Sequence, residues 1–250
     1  MREFANVVIT RGGLYLLRNG WTFTWELPPG AIPRAQAEAE FKEETGLVID
    51  LAPCGIVDRE NDRHHVFTAK TSPEQINTLL SHPRGYTFIT HDEFIDAGEE
   101  FSNEIITVAA LAKLREAGRK IGMCHGVFDL LHPGHVYHLE KAKARVDVLL
   151  VSCVADEFCE KGEGRPVMRT AERLAMLRAL RCVDFALATR ESSPIQLIQE
   201  CAPHYYIRPD FYREKPTPED AILADKVWRI YTPWLDIHSS EIIERAKRCA

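Results

Sequence analysis

The chain has 250 residues, 45% hydrophobic and 27% charged, with 31 Lys and Arg against 37 Asp and Glu. This is the composition of a globular protein with material for one large core or two smaller ones, and a formal net charge of −6 provides no global positive field to attract a nucleic acid. No run approaches the roughly 20 apolar residues needed to span a bilayer, the first residues lack the apolar core of a secretory signal, and seven scattered cysteines without a CxxC pair read as reduced thiols of a cytoplasmic protein.

Residues 6–17, NVVITRGGLYLL, predict two short strands about an Arg-Gly-Gly turn, and WTFTWELPPG predicts a third strand stopped by Pro-Pro-Gly. RAQAEAEFKEETG, residues 34–46, is rich in helix formers and ends on a glycine suited to a helix C-cap. LVIDLAPCGIV and RHHVFTAK return to strand, and residues 103–119 predict a helix that closes a first domain over 1–117. That domain reads as α+β, with several strands around one acidic helix. His64 and His65 stand just before a strand in it, as paired surface histidines or as neighbours of a ligand.

From residue 118 to 250 strand and helix alternate. KIGMC is a strand, 134–144 a helix, VDVLLVSCV a continuously apolar strand and EKGEGRP a Gly-rich loop. The helix TAERLAMLRAL, the strand VDFALA, the helix SPIQLIQECA, the strand HYYIR and a helix from SSEIIERAK follow. Apolar strands between helices predict an α/β domain with a doubly wound, Rossmann-like parallel sheet. Such sheets bind ligands outside the carboxyl ends of their strands.

The stretch HGVFDLLHPGHVYHLEKAK, residues 125–143, lies at that edge. It places His132 and His135 on either side of Pro133-Gly134 at a predicted helix start, where free N–H groups attract phosphate. Alone, the pair fits helix capping as well as a phosphate site. Lys161, Arg165, Arg169 and Arg173 follow the second apolar strand and could converge on a triphosphate, and Gly126 lets a ligand approach the strand end. Ser239 and Ser240, with Glu241 behind them, offer hydroxyls and N–H groups at a further helix start. Three phosphate-friendly elements on one sheet edge point to a single site.

Residues 119–250 resemble the cytidylyltransferase-like nucleotidyltransferase family, whose signatures correspond here to GVFDLLHPGH and IHSSEII. Within it the chain is similar both to glycerol-3-phosphate cytidylyltransferases and to the adenylyltransferase domain of ADP-heptose synthases. The resemblance implies attack by a substrate phosphate oxygen on the α-phosphorus of CTP or ATP, with release of pyrophosphate and with Mg²⁺ carried on the triphosphate. It implies that His132, His135, Lys161 and Arg173 act on the phosphates and acceptor, and that Gly126, Val127, Phe128, Asp129, Gly134, Ser239 and Ser240 bind nucleotide. Asp156, Arg165, Arg208, Asp210 and Trp234 fall about the acceptor or the base. Two of these positions depart from the pattern. Arg208-Pro209-Asp210 stands where relatives carry a Gly-Gly-Asp or Gly-Asp-Asp segment, and Trp234 where cytidylyltransferases carry an arginine. The acceptor would be a small phosphorylated sugar, polyol or alcohol, and family habit implies a homodimer.

LPPGAIPRAQAEAEFKEETGL resembles a Nudix box, with Glu40, Glu43 and Glu44 at the metal-binding positions. The box is damaged: Gly30 to Gly46 is shorter than the pattern requires, its leading glutamate has no equivalent and its arginine position is Ala39. The resemblance therefore implies a degenerate Nudix-like domain for structure, dimerisation or ligand sensing. Its alternative is a hydrolase of a nucleoside diphosphate derivative whose second domain only binds nucleotide.

Overall fold

The structure, a computed structural model, describes residues 1–11, 14–18, 23–59, 62–81, 86–89, 100–189, 191–223 and 227–249. The chain divides into two compact units, Met1–Lys113 and Leu114–Ala250.

The first unit holds β1 (Arg2–Arg11), β2 (Leu14–Arg18), β3 (Phe23–Leu27), α1 (Pro33–Thr45), β4 (Asp50–Arg59), β5 (Asp62–Lys70), α2 (Pro73–Leu80), β6 (Tyr86–Ile89) and most of α3 (Glu100–Glu116). Its mixed six-stranded sheet runs β4-β5-β1-β2-β6, and β3 also pairs with β1. β1 is parallel to β5 and antiparallel to β2 and β3. Period-2 alternation sends Ala5, Val7 and Ile9 of β1 into a core with Phe23, Leu27, Ala37 and Phe41. Ala37 and Phe41, four apart, are the stripe that α1 buries. Gly46 ends the helix at φ 72, a left-handed cap whose N–H donates to Lys42 O over 2.8 Å. The predicted Arg-Gly-Gly turn includes residues 12 and 13, which lie outside the described residues.

The second unit holds β7 (Ile121–Gly126), α4 (Pro133–Lys143), β8 (Val148–Val154), α5 (Thr170–Arg178), β9 (Phe185–Thr189), α6 (Ile195–Cys201), β10 (Tyr205–Pro209), α7 (Asp220–Leu223), β11 (Trp228–Thr232) and α8 (Ser239–Cys249). All five strands pair in parallel, in the order β11-β10-β7-β8-β9. The unit is thus an α/β, Rossmann-like sheet. Every residue of β8 is buried, which is why its sequence reads as an unbroken apolar run. Cys124, Leu139, Leu149, Val151, Leu174, Leu177 and Ile207 make the core, each large aliphatic contributing about 1.5–3 kcal/mol on burial.

The winding direction reverses at β7: β8 and β9 are added on one side, β10 and β11 on the other. With right-handed crossovers this sends α6 to the face opposite α4 and α5. It also opens a crevice at the carboxyl ends of β7 and β10, where the crossovers diverge.

Candidate functional site

β7 stops at Gly126, and six residues later His132 caps α4 with extended backbone (φ −135°, ψ 167°) and no side-chain hydrogen bond to the helix. Pro133 takes the first helical position, where its missing N–H costs nothing. The N–H groups of the first turn therefore have no intrahelical partner. Gly134 leaves little room for a side chain: a Cβ there would stand 3.0 Å from His132 Nδ1 and 3.2 Å from Leu235 O.

The loop between strand and helix is fixed by Asp129, 2% exposed. One oxygen accepts the N–H groups of Val167 (2.9 Å) and Met168 (3.0 Å), and the other accepts Arg165 Nε at 2.5 Å. Burial works to raise the pKa of this carboxyl, but those donors outweigh it and hold it below the ordinary value. Phe128 and Leu130, on either side, sit at φ 53 and φ 56, left-handed conformations that side chains other than glycine adopt only under constraint.

A cavity of about 450 Å³ opens at this edge. Of the residues expected to bind nucleotide, Gly126, Val127, Phe128, Asp129, Ser239 and Ser240 line it; of those expected to be catalytic, His132, His135 and Lys161 do, and so do Arg165 and Trp234. The imidazoles of His132 and His135 stack at 3.8 Å between centroids, and Trp234 stands edge-on to both at 6.0 and 5.8 Å. Burial, and then the neighbouring imidazole, pushes the His135 pKa down to about 3, and burial also lowers His132. Both rings are therefore neutral at neutral pH. His132 Nδ1, His135 Nδ1 and Trp234 Nε1 are buried with no hydrogen-bond partner among the described residues, an arrangement proteins tolerate mainly where something else completes it. Ser239 and Ser240 open α8, where Glu241 N and Ile242 N bond back to His238 O.

Gly134 lies behind His132 and does not line the cavity. Four expected site residues are placed elsewhere. Arg173, expected at the phosphates and acceptor, is 1% exposed. Its guanidinium donates to the carbonyls of Val127 (2.6 Å), Val154 (2.8 Å) and Met168 (2.9 Å) and to Asp156 (2.5 Å), so it ties together the ends of β7 and β8 and the loop before α5. Asp156 exchanges backbone-to-side-chain bonds with Thr170 and pairs with Arg173. Arg208 is buried, bonded to Thr217 and lying 4.5 Å over the Tyr212 ring. Asp210 is exposed and opens a single 3-10 turn over Asp210–Tyr212.

That turn supplies what the sequence did not show. Phe211 and Tyr212 line the cavity, and Phe211 meets Trp234 at 5.4 Å, so one aromatic wall runs from Tyr212 through Trp234 to the histidine pair. His125, His138 and His238 also line it. His125 Nδ1 lies 2.9 Å from Ser152 Oγ, and burial pushes its pKa down to about 4. The one available signal was for His138, which continues the three-residue spacing of His132 and His135 along a helix.

The glutamates of the first unit do not gather. Glu40 accepts the Gln36 amide at 2.8 Å, Glu44 accepts the Trp25 indole at 3.1 Å, and Glu43 is exposed. Among the described residues no group of three His, Cys, Asp or Glu side chains is placed to hold a metal ion.

Comparison with known proteins bears mainly on the second unit. The cytidylyltransferase-like family model matches residues 123–245. This part of the chain, just under half of it, is similar to cytidylyltransferase-like domains. "Bifunctional protein HldE" of Actinobacillus succinogenes is 40% identical over 128 residues, taking in 50% of this chain and 26% of that protein. The protein of the same name from Pasteurella multocida is 39% identical over 127 residues, 50% of this chain and 25% of its own length. The match to that of Actinobacillus pleuropneumoniae is longer, 165 residues at 31% identity, 64% of this chain and 31% of the relative. The chain thus spans only about a quarter to a third of the length of these curated relatives. Among solved structures, the lipopolysaccharide core biosynthesis protein from Thermoplasma volcanium GSS1 is 26% identical and covers 48% of this chain and 100% of its own, with a TM-score of 0.42. Every described residue that lines the cavity falls within the stretch the family model matches. Among the described residues no helix is long and apolar enough to cross a membrane.

Proposed function

We propose that the chain is a nucleotidyltransferase acting on a small phosphorylated sugar or polyol, with CTP or ATP as the donor. The observation that carries this reading is the convergence of His132, His135, Lys161, Arg165, Ser239 and Ser240 on one cavity at the carboxyl edge of a parallel sheet, two of them presenting buried imidazole nitrogens without partners among the described residues. A phosphate oxygen of the acceptor attacks the α-phosphorus of the triphosphate, a P–O bond forms, the bond from the α-phosphorus to the α,β-bridging oxygen breaks, and pyrophosphate leaves with its electron pair. No covalent intermediate on the protein is needed, so the protein's part is to position the reactants and offset charge.

Lys161 and Arg165 supply fixed positive charge, while Ser239, Ser240 and the first turns of α4 and α8 supply neutral donors. The stacked imidazoles lie against the helix start, where they can donate to the α-phosphate as negative charge grows on it. A triphosphate within reach would raise their depressed pKa values, so binding would itself recruit a proton to the pair. Among the described residues Asp129 is the single carboxylate lining the cavity, and both its oxygens are engaged. These side chains do not make a cage for a resident cation, and Mg²⁺ would enter already bound to the triphosphate.

Pyrophosphate release measured with each of the four NTPs against a panel of sugar, polyol and amino-alcohol phosphates tests the proposal. The expected result is turnover with one NTP and one acceptor class, lost in His135→Ala. Nucleotide hydrolysis that survives His135→Ala and disappears in Glu44→Gln would overturn it in favour of a first-unit hydrolase.

A further inference from the structure

α4 carries a third imidazole on the face of the histidine pair. His138 lies three residues beyond His135, is 3% exposed and lines the same cavity, 6.2 Å from the Trp234 ring. Its Nδ1 stands 2.5 Å from the hydroxyl of Thr232 on β11, the one hydrogen bond of this ring among the described residues. The Thr232 hydroxyl in turn donates to the carbonyl of Arg208 on β10 at 3.5 Å.

The tautomer of the ring follows from where the Thr232 proton goes. A threonine hydroxyl has a single proton. With that proton on the Arg208 carbonyl, the bond between Thr232 and His138 forms only if Nδ1–H donates. Burial pushes the His138 pKa down to about 4, so the ring is neutral at pH 7 and has no second proton. Nε2 then presents a bare lone pair to the cavity. This sets His138 apart from its neighbours, because Lys161, Arg165 and the two serines offer protons suited to phosphate oxygens. A lone pair repels a phosphate oxygen and needs a donor, and sugars, polyols and ribose all carry one in their hydroxyl groups.

We propose that His138 Nε2 accepts a hydrogen bond from a hydroxyl group of the bound substrate, and that it thereby selects for a hydroxylated ligand. Thr232 is the positioning residue that holds the ring in this tautomer. The inference rests on the nucleotidyl-transfer reading and names a partner that the phosphate-binding groups do not supply. The hydroxyl belongs either to the ribose of the nucleotide or to the sugar or polyol acceptor.

The test uses the full chain, calorimetric binding of ATP, CTP and their 2′-deoxy and 3′-deoxy counterparts, and the variants His138→Phe and His138→Gln. Phe keeps a flat ring without the acceptor, and the Gln amide oxygen can replace it. If the ribose supplies the hydroxyl, removing it weakens wild-type binding roughly threefold to tenfold, the range for one neutral hydrogen bond. His138→Phe then weakens the ribonucleotide by the same factor and leaves the deoxynucleotide unchanged, while His138→Gln recovers most of the loss. If the acceptor supplies it, ribose and deoxyribose forms bind wild type alike. His138→Phe then raises KM for the acceptor by that factor at unchanged KM for the nucleotide.

A folded His138→Phe that changes neither quantity beside an active wild type overturns this proposal alone. A wild type that binds neither ATP nor CTP refutes the nucleotidyl-transfer reading and the partner given to His138 with it. The ¹⁵N chemical shifts of the His138 ring give a readout independent of turnover and of the variants. Protonation at Nδ1 that becomes mixed in Thr232→Val is expected, and a ring protonated at Nε2 in wild type overturns the assignment.

Discussion

Replacing Arg173 by methionine separates two roles for a residue whose type suits either. In the structure its guanidinium is fully enclosed, with a side-chain exposure of 0%, and donates to the carbonyls of Val127, Val154 and Met168 and to Asp156. Methionine fills much the same volume but donates nothing. Asp156, with a side-chain exposure of 41%, can turn to water, so the main loss is the three enclosed carbonyls. A buried polar group left without its partner costs about 1–3 kcal/mol, and three carbonyls are left so, with room for partial relaxation. A loss of about 3–5 kcal/mol is therefore expected, a large part of the stability of one unit. For a domain of this size it lowers Tm by about 10 °C or more. The assay is thermal unfolding followed by near-UV circular dichroism, with pyrophosphate release measured well below the variant's Tm. A Tm within about 2 °C of wild type, accompanied by loss of turnover, would refute the argument and return Arg173 to the substrate.

Gly134→Ala should leave Tm nearly unchanged, because alanine favours the helix while its Cβ crowds the His132 ring. Turnover should fall about tenfold through displacement of that ring, and unaltered kinetics would refute the crowding. Triphosphate binding near pH 6 should take up about one proton, read as a dependence of the calorimetric heat on the buffer's ionisation enthalpy, and it should vanish in His132→Ala. Stability should fall as the solution is acidified. His138 is held near pKa 4 in the fold against about 6.5 unfolded, so the unfolded state binds the extra proton. Its contribution is intact above pH 6.5 and is lost as pH falls towards 4, about 2 kcal/mol being gone by pH 5. Urea midpoints that stay flat between pH 7 and 5 would contradict this.

What the sequence disclosed follows from what a one-dimensional pattern can carry. The apolar run of β8 announced a strand covered on both faces because all seven of its residues are buried. The HPGH segment announced a helix start because proline at the first helical position is itself a local signal. β11 was missed because Trp228 and Arg229 are exposed and blur its apolar pattern. Phe211 and Tyr212 were missed because a single 3-10 turn has no periodicity. Arg173 shows the remaining limit: the carbonyls that claim it come from Val127, Val154 and Met168, and only the fold reveals that convergence. Glu40, Glu43 and Glu44 fit a spacing, but Gln36 and Trp25 engage two of them.

The reversal of winding at β7 governs the order in which the site can come into being. β7 pairs with β8, 27 residues downstream, but its other neighbour is β10, where His204 and Tyr205 meet Ile121 and Gly122 across more than 80 positions of sequence. Half of the cavity can therefore form early, with the histidine pair and Asp129 placed by the β7-α4-β8 segment. The aromatic wall and the serines arrive only after the stretch from β10 to α8 has been synthesised and has closed the long loop, a slow kind of contact to make. A ribosome-bound chain that ends before residue 205 has the histidines and cannot have the pocket.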